Sequence, residues 1–266
     1  MEVERIGTLL AAVREKTPLV HNITNFVVMN NTANALLALG ASPAMVHALD
    51  EVEDFVALSQ ALVVNIGTLY SEQIAACKLA ASRAQAAGVP WILDPVGVGA
   101  TPYRRAAASA LARLRPNVIR GNGSEILTLA QQTQARQGRG VDSLQGSDAA
   151  VEAARTLAKK TGAVIAVTGA VDYVTDGKQL AEIHNGHPLM VRVTGLGCSA
   201  TAIIGAFLAV ESNAFAATVA GLTVFGVAGE LAAEWAAGPG SLQVALLDAL
   251  YALDEATLVA RAKIRA

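Results

Sequence analysis

Thr194-Gly195-Leu196-Gly197-Cys198 is a short glycine loop that runs straight into an apolar, helix-forming stretch, Ser199–Val210. A glycine-rich turn that opens a helix leaves several backbone N–H groups without acceptors at the positive end of the helix dipole. Such a corner receives anions, and it suits a phosphate or the charge that develops on a phosphoryl group in transfer. Cys198 falls at about the first position of that helix, where a thiol pKa is commonly lowered. The competing reading is a tight turn before a buried helix with Cys198 as a small core residue, because an isolated Gly-x-Gly is a weak signal.

Other residues could complete such a site. In Arg120-Gly121-Asn122-Gly123-Ser124-Glu125, Arg120 can clamp a phosphate bidentately. Asn122 and Glu125, three apart at a helix start, can share a hydrated metal or close a capping box, and the two roles are compatible. Asp94 precedes Pro95 at a strand end, where an aspartate is more often a turn former than a ligand; opposite Glu125 it would place two carboxylates near a triphosphate, an arrangement eased by Mg²⁺ between them. His21-Asn22-Ile23-Thr24-Asn25 sets four polar side chains around one isoleucine, which implies a tight internal network or a polar ligand. Met45 reads as a core residue or as a contact for a sulfur-containing heterocycle. His47, His184 and His187 show no ligand spacing, and Cys77 sits among alanines as inert packing.

The elements that must position these residues alternate. Helical stripes cover Glu2–Lys16, Asn25–Leu39, Asp50–Gln60, Ser71–Ala87, Pro102–Arg115, Ser124–Ala130 and Ser147–Thr161. Between them lie apolar runs expected as strands: Leu19–Thr24, Ser42–Val46, Ala61–Ile66, Pro90–Leu93, Asn117–Ile119 and Ala163–Val167. Asp176-Gly177 marks a hairpin joining Val171–Val174 to Gln179–His184, and Gln131–Gly146 reads as a flexible flap. Helices Ser199–Val210, Ala214–Ala236 and Ser241–Leu253 follow, then a basic tail. The pattern predicts one α/β domain over 1–266, a mostly parallel sheet with helices on both faces, and ligands beyond the strands' carboxyl ends.

With 20 Lys+Arg against 22 Asp+Glu, charge gives no reason to expect nucleic acid or an anionic membrane. The chain is 53% hydrophobic and only 16% charged, which implies extensive helix-on-sheet burial and subunit interfaces. The apolar region Ser199–Ala237 is broken at Glu211-Ser212-Asn213, and neither piece is expected to reach the ~20 residues of a membrane span. Glu2, Glu4 and Arg5 ahead of any apolar run do not resemble a secretory signal, and two distant cysteines fit a reducing, cytoplasmic setting.

Taken together and in order, His21–Asn25, Asp94–Gly97, Arg120–Glu125, Val167–Gly169 and Thr194–Ser199 resemble the hydroxyethylthiazole kinase family of thiamine salvage, over about Thr17 to Leu253. The resemblance implies a ribokinase-like three-layer α/β/α fold and a cytoplasmic homotrimer with sites at subunit junctions. It implies Mg²⁺-dependent transfer of the ATP γ-phosphoryl group to the primary alcohol of 4-methyl-5-(2-hydroxyethyl)thiazole. Position by position, it matches Met45, Gly195 and Asn25 to the thiazole alcohol, and Arg120, Thr168 and Asn122 to ATP. Asp94 and Glu125 match the metal region, and Cys198, with Gly195 and Gly197, the catalytic corner. Ribokinase-like enzymes usually carry aspartate at the Cys198 position, whereas this branch resembles the present sequence in having cysteine. Two other readings share the architecture: a hydroxymethylpyrimidine kinase, and a nucleotide-dependent NAD(P)H-hydrate dehydratase, against which Cys198 counts.

Overall fold

The structure, a computed structural model, describes residues 2–133 and 147–265. Nine strands form one sheet in the order β2-β1-β3-β4-β5-β6-β7-β8-β9. They are β1 (Leu19–Ile23), β2 (Ser42–Ala44), β3 (Ala61–Asn65), β4 (Trp91–Asp94), β5 (Val118–Asn122), β6 (Val164–Thr168), β7 (Asp172–Thr175), β8 (Leu180–Ile183) and β9 (Ile264–Arg265). The pairings from β2 through β6 are parallel; β7, β8 and β9 add antiparallel.

Period-two alternation sends each strand's side chains to two separate cores. Val63, Ile92, Val118 and Ala166 face one core with α1 (Val3–Lys16), α2 (Met29–Leu39), α8 (Leu196–Leu208), α9 (Ala214–Trp235), α10 (Pro239–Ala252) and α11 (Glu255–Arg261). Leu62, Val64, Leu93, Ile119 and Ile165 face the other, under α3 (Val52–Leu58), α4 (Ser71–Ala87), α5 (Pro102–Ala112), α6 (Gly123–Thr133) and α7 (Ser147–Thr161). The same parity decides where the polar strand ends point. Asn65, Asp94, Arg120 and Thr168 lie two residues beyond Val63, Ile92, Val118 and Ala166, and so on the α8 side of the sheet.

Several boundaries differ from expectation. β5 runs on to Asn122, because residues from Arg120 to Asn122 pair with Ala166–Thr168, so the polar motif sits on the strand rather than beyond it. α2 begins at Met29, after a turn closed by Val28 N donating to Asn25 O (3.2 Å). The basic tail is structured: α11 follows α10, and β9 pairs with β8. Of the expected flap Gln131–Gly146, the first three residues finish α6 and the rest lie outside the described residues. α9 spans 22 residues and is long and apolar enough to cross a membrane, contrary to the expected length, but 83% of its apolar window is buried inside the protein. Its hydropathy is that of a core helix.

Candidate active site

The glycine corner forms the start of α8. Gly195 caps the helix at φ +83°, and a Cβ there would also lie 2.5 Å from Val28 Cγ1, so glycine is required twice over. The first helical hydrogen bond runs from Ser199 N to Gly195 O (2.9 Å). The N–H groups of Leu196, Gly197 and Cys198 therefore precede the ladder and have no acceptor among the described residues. α8 thus starts three residues earlier than expected, and Cys198 is its third residue.

The half-buried Cys198 thiol is not acidified. Burial, and then the negative charge of Asp94, push its pKa up to about 11, against the pull of the Asn65 and Asn25 amides and of Arg120. Against the expected lowering at a helix start, burial and the Asp94 charge dominate the shift. Near neutral pH Cys198 is a thiol. Cys77, by contrast, is fully buried in α4, its pKa pushed up to about 12 by burial, and it is inert as expected.

Asp94 ends β4 and is fully buried. Its Oδ2 accepts from Asn65 Nδ2 (2.8 Å) and Thr201 Oγ1 (2.8 Å), while Oδ1 has no partner among the described residues. Arg120 Nη1 lies 3.8 Å from Oδ2, a through-space ion pair rather than a hydrogen bond. Burial raises the Asp94 pKa to about 6, with Arg120 opposing the rise and Glu125 adding to it. A carboxylate so placed is ionised at neutral pH at a desolvation cost, with one oxygen left for something else to bind.

Arg120 donates from Nη2 to Thr168 Oγ1 (2.5 Å), joining β5 to β6. These two, with Asn122, Gly195, Leu196 and Gly197, line a cleft of about 710 Å³ that opens between the β6–β7 turn and the start of α8. A Cβ on Gly197 would meet Arg120 Nη1 at 2.8 Å and Nη2 at 3.0 Å, so glycine lets the guanidinium lie against the helix start. Gly197→Ala is expected to leave the melting temperature nearly unchanged, since the long Arg120 side chain can swing aside. It should weaken binding of a phosphate-bearing ligand ~10-fold by displacing that guanidinium, a change calorimetric titration with inorganic pyrophosphate would register.

Asn122 and Glu125 form a capping box: Glu125 N donates to Asn122 Oδ1 (2.9 Å) and Asn122 N to Glu125 Oε2 (2.8 Å). Glu125 Oε1 also accepts from Gly97 N (2.8 Å), which ties the loop after β4 to α6. No group of three His, Cys, Asp or Glu able to hold a metal occurs among the described residues. The donor set here fits only an ion that takes most of its ligands from phosphate and water, which is the habit of Mg²⁺. Among these carboxylates, Asp94 Oδ1 is the oxygen left without a partner among the described residues, with the Glu125 charge near enough to raise the Asp94 pKa.

The polar segment after β1 is mostly an internal network. His21 Nε2 pairs with Val46 O (2.9 Å), His47 Nε2 lies against Thr24 O (3.0 Å), and Asn22 Nδ2 donates to Val20 O (2.8 Å). These bonds clamp the half-buried Met45, just past edge strand β2, beside the end of β1. His47, given no role from sequence, is one of the clamps. Asn25 alone turns into the site, donating from Nδ2 to Asn65 Oδ1 (2.9 Å) and to Cys198 Sγ (3.4 Å). The structure thus brings together Asn25, Cys198, Asp94, Arg120 and Thr168, with Asn122 and Glu125 alongside. Sequence reasoning missed Asn65 and Thr201, although a lone asparagine inside the apolar run Ala61–Ile66 is a visible signal.

The model of the hydroxyethylthiazole kinase family matches residues 10–256. The chain belongs to that family. A hydroxyethylthiazole kinase of Granulibacter bethesdensis is 59% identical, with 96% of this chain and 92% of that protein covered. One of Cereibacter sphaeroides is 54% identical over 98% of both chains. The solved hydroxyethylthiazole kinase structure from Pyrococcus horikoshii OT3 superposes with a TM-score of 0.92 at 44% identity, covering 98% of each chain. A Bacillus subtilis pyridoxal kinase, TM-score 0.60 at 18% identity over 80% of this chain and 91% of that one, shares the fold alone. That fold is the three-layer, ribokinase-like α/β/α arrangement, as expected.

Proposed function

We propose that this chain transfers the γ-phosphoryl group of ATP to the primary alcohol of 4-methyl-5-(2-hydroxyethyl)thiazole. The observation that carries this reading is a cleft walled by Arg120 and Thr168 that reaches Gly195, Leu196 and Gly197 at the start of α8, with the next residue, Cys198, hydrogen-bonded by Asn25. Arg120 and Thr168, with Asn122, hold the nucleotide phosphates. The helix-start amides, with Gly195 and Gly197 allowing close approach, bind the oxygens of the phosphoryl group in transfer. Asn25 and Met45 bound the thiazole side, and Gly195 contacts the alcohol.

Asp94 and Glu125 would hold Mg²⁺, which when bound neutralises phosphate charge. Asp94 would offer it Oδ1, because Oδ2 is already committed to Asn65 and Thr201. Phosphoryl transfer is loose, so the hydroxyl need not lose its proton before the new bond begins to form. A neutral thiol beside the acceptor is compatible with that order. Exposed Phe26, stacked on Tyr70 at 5.9 Å, and exposed Val27 flank Asn25, and they fit a homotrimer whose neighbouring subunit completes the thiazole pocket. The chain works as one domain, in the cytoplasm, with both cysteines free.

The deciding assay follows ADP release with the thiazole alcohol. Mg²⁺-dependent ADP release, matched by thiazole phosphate, is expected. Equal turnover of the hydroxymethylpyrimidine alcohol, or ADP release without any phosphorylated alcohol, would overturn the reading. Cys198→Ala should slow kcat by less than the ~10²-fold that a true general base contributes, because the thiol is not a thiolate. Cys198→Asp should remain active; a folded but inactive Asp variant would mean that sulfur has a task a carboxylate cannot perform.

A further inference from the structure

We propose that Asn65 is a positioning residue that ties the acceptor side of this site to its phosphoryl side. The inference rests on the phosphoryl-transfer reading above. Asn65 is the last residue of β3, 1% exposed, and its Cα partner across the parallel pair is Asp94. In-register parallel pairing therefore places the two side chains side by side on the α8 face. Asn65 Oδ1 accepts from Asn25 Nδ2 (2.9 Å) and from Gly67 N (2.9 Å), and Nδ2 donates to Asp94 Oδ2 (2.8 Å). The orientation of the amide is fixed, since a flipped group would face two donors with its NH₂ and a carboxylate with its carbonyl.

The side chain thus has two arms with different duties. The acceptor arm holds Asn25, whose Nδ2 also reaches Cys198 Sγ at 3.4 Å, and so it shapes the place where the alcohol docks. The donor arm pins one oxygen of Asp94. Thr201 Oγ1, 2.8 Å from the same oxygen, pins it a second time. Rotating the carboxylate to satisfy Oδ1 would break both bonds, so the carboxylate is held in one orientation with Oδ1 unpartnered among the described residues. Asn65 need not touch either substrate to affect both.

Substitution separates the arms. Asn65→Asp keeps an oxygen for Asn25 and Gly67 but sets a second carboxylate oxygen against Asp94, whereas Asn65→Leu removes both arms. In the full chain, the Asp variant is expected to bind the thiazole alcohol within ~3-fold of the wild-type Kd by calorimetry, with kcat reduced ~30-fold. That loss is the size of one charge-assisted hydrogen bond. The Leu variant should lose at least as much kcat and also bind the alcohol ~10-fold more weakly. Melting curves check that each is folded, and the Asp variant decides alone should Leu fail to fold. A purely structural role would weaken alcohol binding and kcat together in the Asp variant. That result, or an Asp variant with undiminished kcat, overturns the proposal. Wild-type protein that neither binds nor turns over the thiazole alcohol would instead count against the function itself.

Discussion

Asp94→Asn is expected to lower kcat by ~10³-fold while leaving the protein at least as stable above pH 6. The activity loss follows from what Asp94 offers the proposed mechanism: a fully buried carboxylate, one oxygen pinned by Asn65 and Thr201, the other without a partner among the described residues. The amide is isosteric but carries no charge. The stability result has the opposite sign because the Asp94 pKa is raised from 3.8 to about 6, chiefly by burial. Between those values the folded protein holds a proton that the unfolded chain has released, so stability falls as pH rises through the window. Above about pH 6 the charge costs on the order of 3 kcal/mol, and the Asn variant avoids that cost. Melting temperatures at pH 4 and pH 7.5 test this: the variant should gain at the higher pH and show little difference at the lower. A variant less stable at pH 7.5 would mean that the Arg120 pair outweighs desolvation.

Arg120→Ala should reduce kcat/KM for ATP by ~10³-fold, and Arg120→Lys should recover only part of it. The guanidinium sits where three features meet: Thr168 Oγ1 at 2.5 Å, Asp94 Oδ2 at 3.8 Å, and the amide-bearing start of α8 at Gly197. A lysine replaces the charge but not the fork. Removing Arg120 also removes the main charge that holds the Asp94 pKa down. The acid limb of the kcat/KM profile, expected near 6 in the wild type, should therefore move to higher pH in the Ala variant. Half-buried Asp172, raised to about 6 by burial and also facing Arg120, should shift the same way. An acid limb that stays in place would separate Arg120 from Asp94 electrostatically.

Much of this was legible before any coordinates. Alternating apolar runs and helical stripes, with Gly40 and Gly88 as helix stops, determine an α/β sheet covered on both faces, since the periodicity of each element and the buried faces it demands are written locally in the chain. The glycine corner, Arg120, Asp94 and the Asn122–Glu125 box announce themselves by residue type and spacing. What the sequence could not decide was the ionisation of Cys198 and the connections between strands. The helix-start rule predicts a more acidic thiol, yet desolvation and the Asp94 charge, which only packing supplies, push it to about 11. Asn65 and Thr201 likewise read as ordinary residues until register and helix docking set both against one carboxylate. Local rules govern which residues carry chemistry here, whereas their protonation and aim depend on neighbours far apart in the chain, and folding alone brings those together.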